Sequence, residues 1–164
     1  IAQCVDLVVG LALLAIVLPI LHVPFSVHAL QGILALALLV VFTAGCALAL
    51  SCANLFYRDV KYIVQVMLNF GVFATPVFFE PQMLGRKGGA IMLALPLSPF
   101  IQGVDVAIVH GQSLFETHYL STPKGPIAVW EPWLLAYAAG MAVFALVVGL
   151  KIFRRASSRF AEMA

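Results

Sequence analysis

The chain alternates long apolar runs with short polar breaks, and the runs have the length of membrane helices. A bilayer core about 30 Å thick takes roughly 20 apolar residues in a helix. Residues 5–21, 30–53, 62–79 and 133–153 each predict such a span. The first is somewhat short, with Asp6 at its head and Pro19 near its end. The second is the cleanest. The third carries Gln65, Asn69, Thr75 and Pro76, and the fourth opens on Trp133 and closes on Lys151.

Residues 80–132 have another character, punctuated throughout by proline and glycine. Within them 90–109, AIMLALPLSPFIQGVDVAIV, is apolar but broken by Pro96 and Pro99. Each proline lacks an N–H and clashes with the preceding helical turn. The pattern therefore predicts two short helices meeting at PLSP as a re-entrant pair in an external loop. Such backbone survives at membrane depth when protein or a wet cavity surrounds it. The alternative is a kinked full span, which would reverse the side of everything after it.

Composition strengthens this picture. The chain is 63% hydrophobic and 10% charged, against roughly 45–50% apolar usage in soluble domains. An all-α integral membrane protein follows, with four transmembrane helices plus the re-entrant pair, in one transmembrane domain over residues 1–164. A formal charge of +2 gives no basis for a nucleic-acid partner. Cys4, Cys46 and Cys52 lie in or beside apolar runs and read as small apolar residues, with no metal-ligand spacing. The first residue is Ile with no signal-peptide architecture before it, so the expectation is the later portion of a longer chain.

The position of the charges sets an orientation. Basic residues collect on the cytoplasmic side of membrane helices. The loop at 22–29 has none, the turn NLFYRDVKYI has Arg58 and Lys61, and the tail has Lys151, Arg154, Arg155 and Arg159. Four spans and a returning hairpin put both basic places on one face, so that face and the C-terminus are expected to be cytoplasmic. Counting the hairpin as a span would send the four basic tail residues outside. Asp59, beside Arg58, is expected near the start of the third helix, where a carboxylate suits the positive end of the dipole.

Gln65 and Asn69 are four apart and share a helix face. In a membrane such amides bond between helices or line a pathway. Gly45, Ala49 and Ala53, and likewise Ala136 and Gly140, predict close-packing surfaces. The sequence has no Gly-rich phosphate loop, no HExxH and no GxSxG. Ser98 and His110 are the sole serine–histidine candidates for hydrolysis, and no nucleophile elbow accompanies them. No catalytic residue and no metal site is assigned.

NLFYRDVKYIVQVMLNFGVFATPVFF resembles the segment around the fifth transmembrane helix of type-2 ABC transporter permeases that export polysaccharide, O-antigen or teichoic acid. Arg58, Asp59 and Val60 match a cytoplasmic RDV in that family, and Phe73, Ala74, Thr75, Pro76 and Val77 match an aromatic-rich ATPV ending. Leu95, Pro96 and Leu97 stand at its NPL turn, with Leu95 in place of the usual Asn. Asp105 stands where an Arg is expected. Phe153, Arg154, Arg155, Phe160 and Ala161 match its FRRxxxxFA tail.

The resemblance covers nearly the whole chain and implies the last four of six spans, with an N-terminal helix and two spans lying upstream. It implies a permease subunit that binds no cofactor of its own and works as a homodimer. ATP-Mg would sit on a separate ABC ATP-binding subunit. The substrate would be a lipid-linked glycan, moved through the bacterial cytoplasmic (inner) membrane and in contact with its lipid. By this resemblance Arg58, Asp59 and Lys61 would sit at the cytoplasmic mouth, near the ATPase or a lipid pyrophosphate. Gln65, Asn69, Phe73, Thr75 and Pro76 would line the path or the dimer seam. Phe73, Phe78 and Phe79 would stack on sugar rings or anchor in the interface. Pro96, Ser98, Pro99 and Asp105 would form the external hairpin turn, and Lys151, Arg154, Arg155 and Arg159 the cytoplasmic basic tail. Two rivals stay open: a type-2 ABC permease for a drug or smaller lipid, and a membrane scaffold that transports nothing.

Overall fold

The apolar run after residue 28 meets no proline and no charge before Arg58, and it forms one unbroken helix. The computed structural model describes residues 2–20, 28–77, 79, 81–122 and 125–161. Helix α1 is Ala2–Ile20, α2 is Ala29–Phe56 and α3 is Val60–Ala74. After a 3-10 turn at Pro81–Leu84 come α4, Gly85–Ala94, and α5, Ser98–Val104, which continues as a π-helical turn, Asp105–Val109. Strands β1, His118–Thr122, and β2, Gly125–Trp130, precede the last helix, α6, Pro132–Ala161. The fold is that of an all-α membrane protein with one small hairpin. Among the described residues, Leu30–Phe56 and Pro132–Ala156 are long and apolar enough to cross a bilayer. Val8–Val17 and Val60–Ala74 are shorter apolar helices.

Helices α2 and α6 form the spine, and they run parallel. Ala35 shares a cluster with Leu134; Leu38, Leu39, Val41 and Phe42 flank Ala138 and Ala142; and Gly45 lies against Ala145 and Gly149. Residue numbers thus rise together along both helices. At the Gly45–Gly149 crossing the two backbones touch, since a methyl group on Gly149 would overlap the carbonyl oxygen of Gly45. Close approach of this kind depends on small residues because lipid supplies no hydrophobic drive between helices. The expected Gly45 surface is therefore used. The expected Ala136 and Gly140 surface is not: both are exposed, and a Cβ on Gly140 would meet nothing within 4 Å. Ala138, Ala142, Ala145 and Gly149 form the stripe that faces α2, and Gly140 lies away from it. Within the spans, Thr43 and Ser51 donate back to carbonyls of their own helix, Leu39 and Val40 for Thr43 and Leu48 for Ser51. That satisfies a hydroxyl without a partner helix.

The break at PLSP is where the sequence places it. Leu95, ahead of Pro96, is extended at φ −66°, ψ 137°, as the proline ring demands of its predecessor. The Ser98 amide donates to the Leu95 carbonyl at 3.1 Å, closing a β-turn with Pro96 in its second position. The two arms, Gly88–Ala94 and Ser98–Val109, are bent by 100°. Pro99 plays a different part from Pro96. It sits in the first turn of α5, where a missing N–H costs nothing and φ is preset. Phe100 then reaches α2, its ring 5.3 Å from that of Phe42. The Tyr137 hydroxyl donates to the Ala94 carbonyl at 2.9 Å, tying the C-terminal end of α4 to α6. Tyr137→Phe should cost about 1 kcal/mol, read as a lower midpoint when the purified full-length protein is unfolded.

The π-helical turn, Leu114 and Trp130 pack over the start of α2 and α6. Trp130 is 1% exposed and Leu114 is fully buried. The Trp130 indole donates to the Leu114 carbonyl at 2.8 Å, and the Leu114 amide donates to Oε1 of Gln31 on α2 at 2.7 Å. Ala35, Leu93, Val106, Ala107 and Leu134 complete this cluster. Gly32 and Gly103 let the layers meet, since a Cβ on Gly32 would strike Ile108 and one on Gly103 would sit 3.2 Å from the Trp130 ring. Strands β1 and β2 pair antiparallel, with a register irregularity between His118 and Tyr119. The sequence reading expected irregular loop here, so this hairpin is a correction. Its strands are short, and the surrounding prolines and glycines mask their β-branched and aromatic residues.

Helix α3 differs from the expected third span. It ends at Ala74 and not near 79, because Pro76 holds Thr75 extended at φ −97°, ψ 158°. Its 15 residues extend about 22 Å. None of its residues is buried. The described side chains of α1 are likewise exposed, apart from half-buried Leu14. Asp6 and Arg159 lie in helices but their side chains are outside the described residues, and so are the side chains of Arg86 and Lys87 and the whole of His22, Phe78, Glu80 and Lys124.

Candidate functional site

The parallel spine decides which distant residues share an end. Phe56 at the close of α2 comes level with the last turns of α6, about three helix turns past the Gly45–Gly149 crossing. The turn carrying Arg58, Asp59 and Lys61 and the helix end carrying Lys151, Arg154 and Arg155 therefore lie at one end of the molecule. All six side chains are exposed. The bent α4–α5 pair, the hairpin and Trp130 lie at the other end. Helix α6 has 30 residues, about 45 Å, so it continues past a bilayer core.

Asp59 is the N-cap residue of α3, and its carbonyl accepts from the amides of Tyr62 at 3.1 Å and Ile63 at 3.3 Å. Its carboxylate makes no capping hydrogen bond. The N-cap position puts it at the positive end of the helix dipole, as expected from the sequence. Arg58 and Asp59, though adjacent in the turn, form no ion pair with each other; adjacent side chains leave a helix start in different directions. The Lys61 amine lies 4.8 Å from the ring centroid of Tyr62, an exposed cation–π contact.

Along α3, Gln65 and Asn69 are both exposed, and neither has a hydrogen-bond partner among the described residues. Two amides on one face of an otherwise apolar helix are costly against hydrocarbon. No helix described in this chain supplies the glue. Phe73, 60% exposed, ends the same helix. Thr75 behaves otherwise: it is buried, and its hydroxyl donates to the Val72 carbonyl at 3.0 Å while its amide donates to Gly71 at 3.1 Å. Its polar groups are spent on closing α3. Half-buried Pro76 stops the helix just after.

At the end opposite the basic residues, Pro96 makes the turn, Pro99 opens α5, and Ser98 between them is fully buried with its hydroxyl unbonded. His110 is elsewhere, its Nε2 3.4 Å from an Asp105 carboxylate oxygen. No serine–histidine pair forms. The His110 amide also donates to the Asp105 carbonyl at 3.1 Å, so backbone and side chains both bridge the π-helical turn. His118 Nε2 lies 2.7 Å from the Ser113 carbonyl, which makes that nitrogen the protonated one.

Sequence reasoning missed Gln31, Trp130 and Gly149. Gln31 is a lone amide at the head of an apolar run, and that polarity was its signal. Trp130 was read as part of a loop. Gly149 carries no local signal, because its role depends on which face α6 turns to α2.

No family model matches this chain, and no solved structure matches it significantly. Two curated relatives do, both described as O-antigen export system permease protein RfbA from Klebsiella pneumoniae. Each is 28% identical over 124 residues, which is 76% of this chain and 41% of the relative. The chain thus spans about two fifths of the length of the curated relatives it matches. The resemblance carried by the RDV and ATPV stretches and these relatives agree: over three quarters of its length, this chain is similar to permease proteins of O-antigen export systems.

Proposed function

We propose that the chain is part of the membrane-spanning subunit of an ABC exporter for a lipid-linked polysaccharide of O-antigen, capsule or teichoic-acid type. Two permease copies would form the path across the cytoplasmic membrane, with the C-terminus cytoplasmic. A separate subunit would bind and hydrolyse ATP-Mg. The observation that carries this reading is the similarity to O-antigen export permeases. The unpartnered amide face of α3 supports it. A sugar chain presents a row of hydroxyl groups, and amides can donate to and accept from them where water is scarce. Gln65 and Asn69 would then find their partners in the glycan or in a second permease copy, and Phe73 would offer a ring face. Thr75 and Pro76 would act by fixing where α3 ends. Arg58 and Lys61 would lie at the cytoplasmic entrance.

The test uses full-length protein purified in mild detergent. An ATP-binding subunit should copurify in equal amount, and deletion of the permease should leave a lipid-linked glycan inside the cell. Recovery of the protein alone, under conditions that preserve other ABC complexes, would reject the reading. A finer test concerns α3. Gln65→Leu with Asn69→Leu should lower glycan export by about tenfold or more, the loss expected when two amide hydrogen bonds to a passing substrate disappear. Membrane levels and subunit assembly should stay normal. Export at the parental rate in that variant would take the α3 face out of the path.

A further inference from the structure

The end of the molecule that gathers Arg58, Lys61, Lys151, Arg154 and Arg155 has a chemistry apart from transport. From these positions we infer that it is a binding surface for the anionic headgroups of the surrounding phospholipid leaflet. The inference rests on membrane placement alone, so it stands or falls separately from the export reading.

Depth is the first reason. Trp133, 57% exposed, and Tyr137, its ring 6.1 Å away, mark the outer edge of α6, where amphipathic rings collect. Lys151 follows Pro132 by 19 residues, about 28 Å along the helix, and Arg155 by one turn more. These side chains therefore leave the hydrocarbon at the far headgroup layer, the core being about 30 Å thick. The parallel partner α2 ends at Phe56, about one helix turn beyond the level of Arg155, and so brings Arg58 and Lys61 out at the same end. Charge is the second reason. Among the described side chains at 54–61 and 150–156, five are cationic and Asp59 is the one carboxylate. Juxtamembrane basic clusters of this size attract anionic lipid.

Surroundings are the third reason. Ile152 and Phe153, 41% and 43% exposed, alternate with the basic residues on α6. Tyr57 and Tyr62, 72% and 59% exposed, flank them on the α2–α3 turn. Apolar and aromatic side chains interleaved with cations suit an interface that is part acyl chain and part phosphate.

The probe is a nanodisc of phosphatidylglycerol mixed with phosphatidylcholine, loaded with full-length permease and compared with bulk lipid after extraction. Parental protein should retain phosphatidylglycerol above its bulk share. A variant with Lys151→Gln, Arg154→Gln, Arg155→Gln, Arg58→Gln and Lys61→Gln should lose that enrichment by roughly fivefold or more. Swapping Lys151→Arg, Arg154→Lys and Arg155→Lys keeps the charge and should keep the lipid. If the neutral variant does not fold, enrichment by the parental and charge-keeping proteins should still fall at high salt. Retained lipid that matches bulk composition, or that ignores both salt and neutralisation, overturns the inference. Loss of an ATP-binding subunit from the neutral variant with phosphatidylglycerol retention unchanged overturns it too, and assigns the surface to protein contact.

Discussion

Gly149→Leu is expected to break the α2–α6 spine and leave little folded protein in the membrane. A Cβ at this position would overlap the Gly45 carbonyl oxygen and lie 3.2 Å from the Gly45 Cα. The obstacle is backbone on a second helix, and it cannot rotate away as a side chain would. Gly45 faces the reciprocal problem, since its Cβ would overlap Ala145 and Leu146 main-chain atoms, the Ala145 oxygen at 2.6 Å. Even Gly149→Ala should cost about 1–3 kcal/mol, the usual range for overpacking. Leucine should exceed it, because separating the helices also opens the Ala138, Ala142, Phe100 and Phe42 layer. Gly140→Ala is the matched control. It lies on the same helix with open space around it, and alanine is the better helix former by up to about 1 kcal/mol. Unfolding of the purified full-length variants should order them Gly140→Ala, parent, Gly149→Ala, Gly149→Leu, from most to least stable. A Gly149→Ala midpoint equal to that of Gly140→Ala would mean that the backbones do not touch.

That contrast shows where a sequence is readable and where it is not. The long helices were legible because an apolar run without proline or charge has few other fates: 30–53 became Ala29–Phe56 and 133–153 became Pro132–Ala161. The break at PLSP was legible because proline acts on its own backbone and its neighbour's, whatever the tertiary context. Pro76 acts by the same rule, yet it was placed inside a span, and α3 stops ahead of it. Gly45 and Gly140 look alike in sequence, and one meets a backbone while the other meets nothing. That choice lies in the rotation of α6 against α2, which local pattern does not encode. The basic residues illustrate the reverse. Arg58 and Arg155 are far apart in the chain, but charge asymmetry in the loops already put them on one side, and the parallel spine puts them at one end. For the site itself, the sequence marked Gln65 and Asn69 as polar and on one face. It could not show that α3 finds no partner for them among the described residues, nor that Thr75 turns its hydroxyl back on its own helix.

Trp130→Ala should release the whole layer packed around it. The indole is 1% exposed and sits among Ala35, Val106, Leu114 and Leu134, with Gly103 left bare to admit it. Truncating a buried tryptophan costs about 3–5 kcal/mol. Here it also removes the donor to the Leu114 carbonyl, an acceptor that is then buried unpaired. Trp130→Phe separates the two contributions, since it keeps most of the ring and loses the hydrogen bond, for about 1–3 kcal/mol. Gln31→Leu attacks the same segment from the other side by removing the acceptor of the Leu114 amide. If Gln31, Leu114 and Trp130 form one connected bridge, the two single changes will not add, and the double variant will lose less than their sum. Hydrogen exchange reads this locally. Amides in 106–118 should lose protection in every one of these variants, while those in the Gly45–Gly149 region keep theirs. Protection at 106–118 that survives Trp130→Ala would show that the segment is held by something other than the tryptophan. Protection lost equally along α2 and α6 would mean that the Trp130 layer and the spine unfold as one unit, so that the bridge from Gln31 to Trp130 supports the span pair and not the PLSP turn alone.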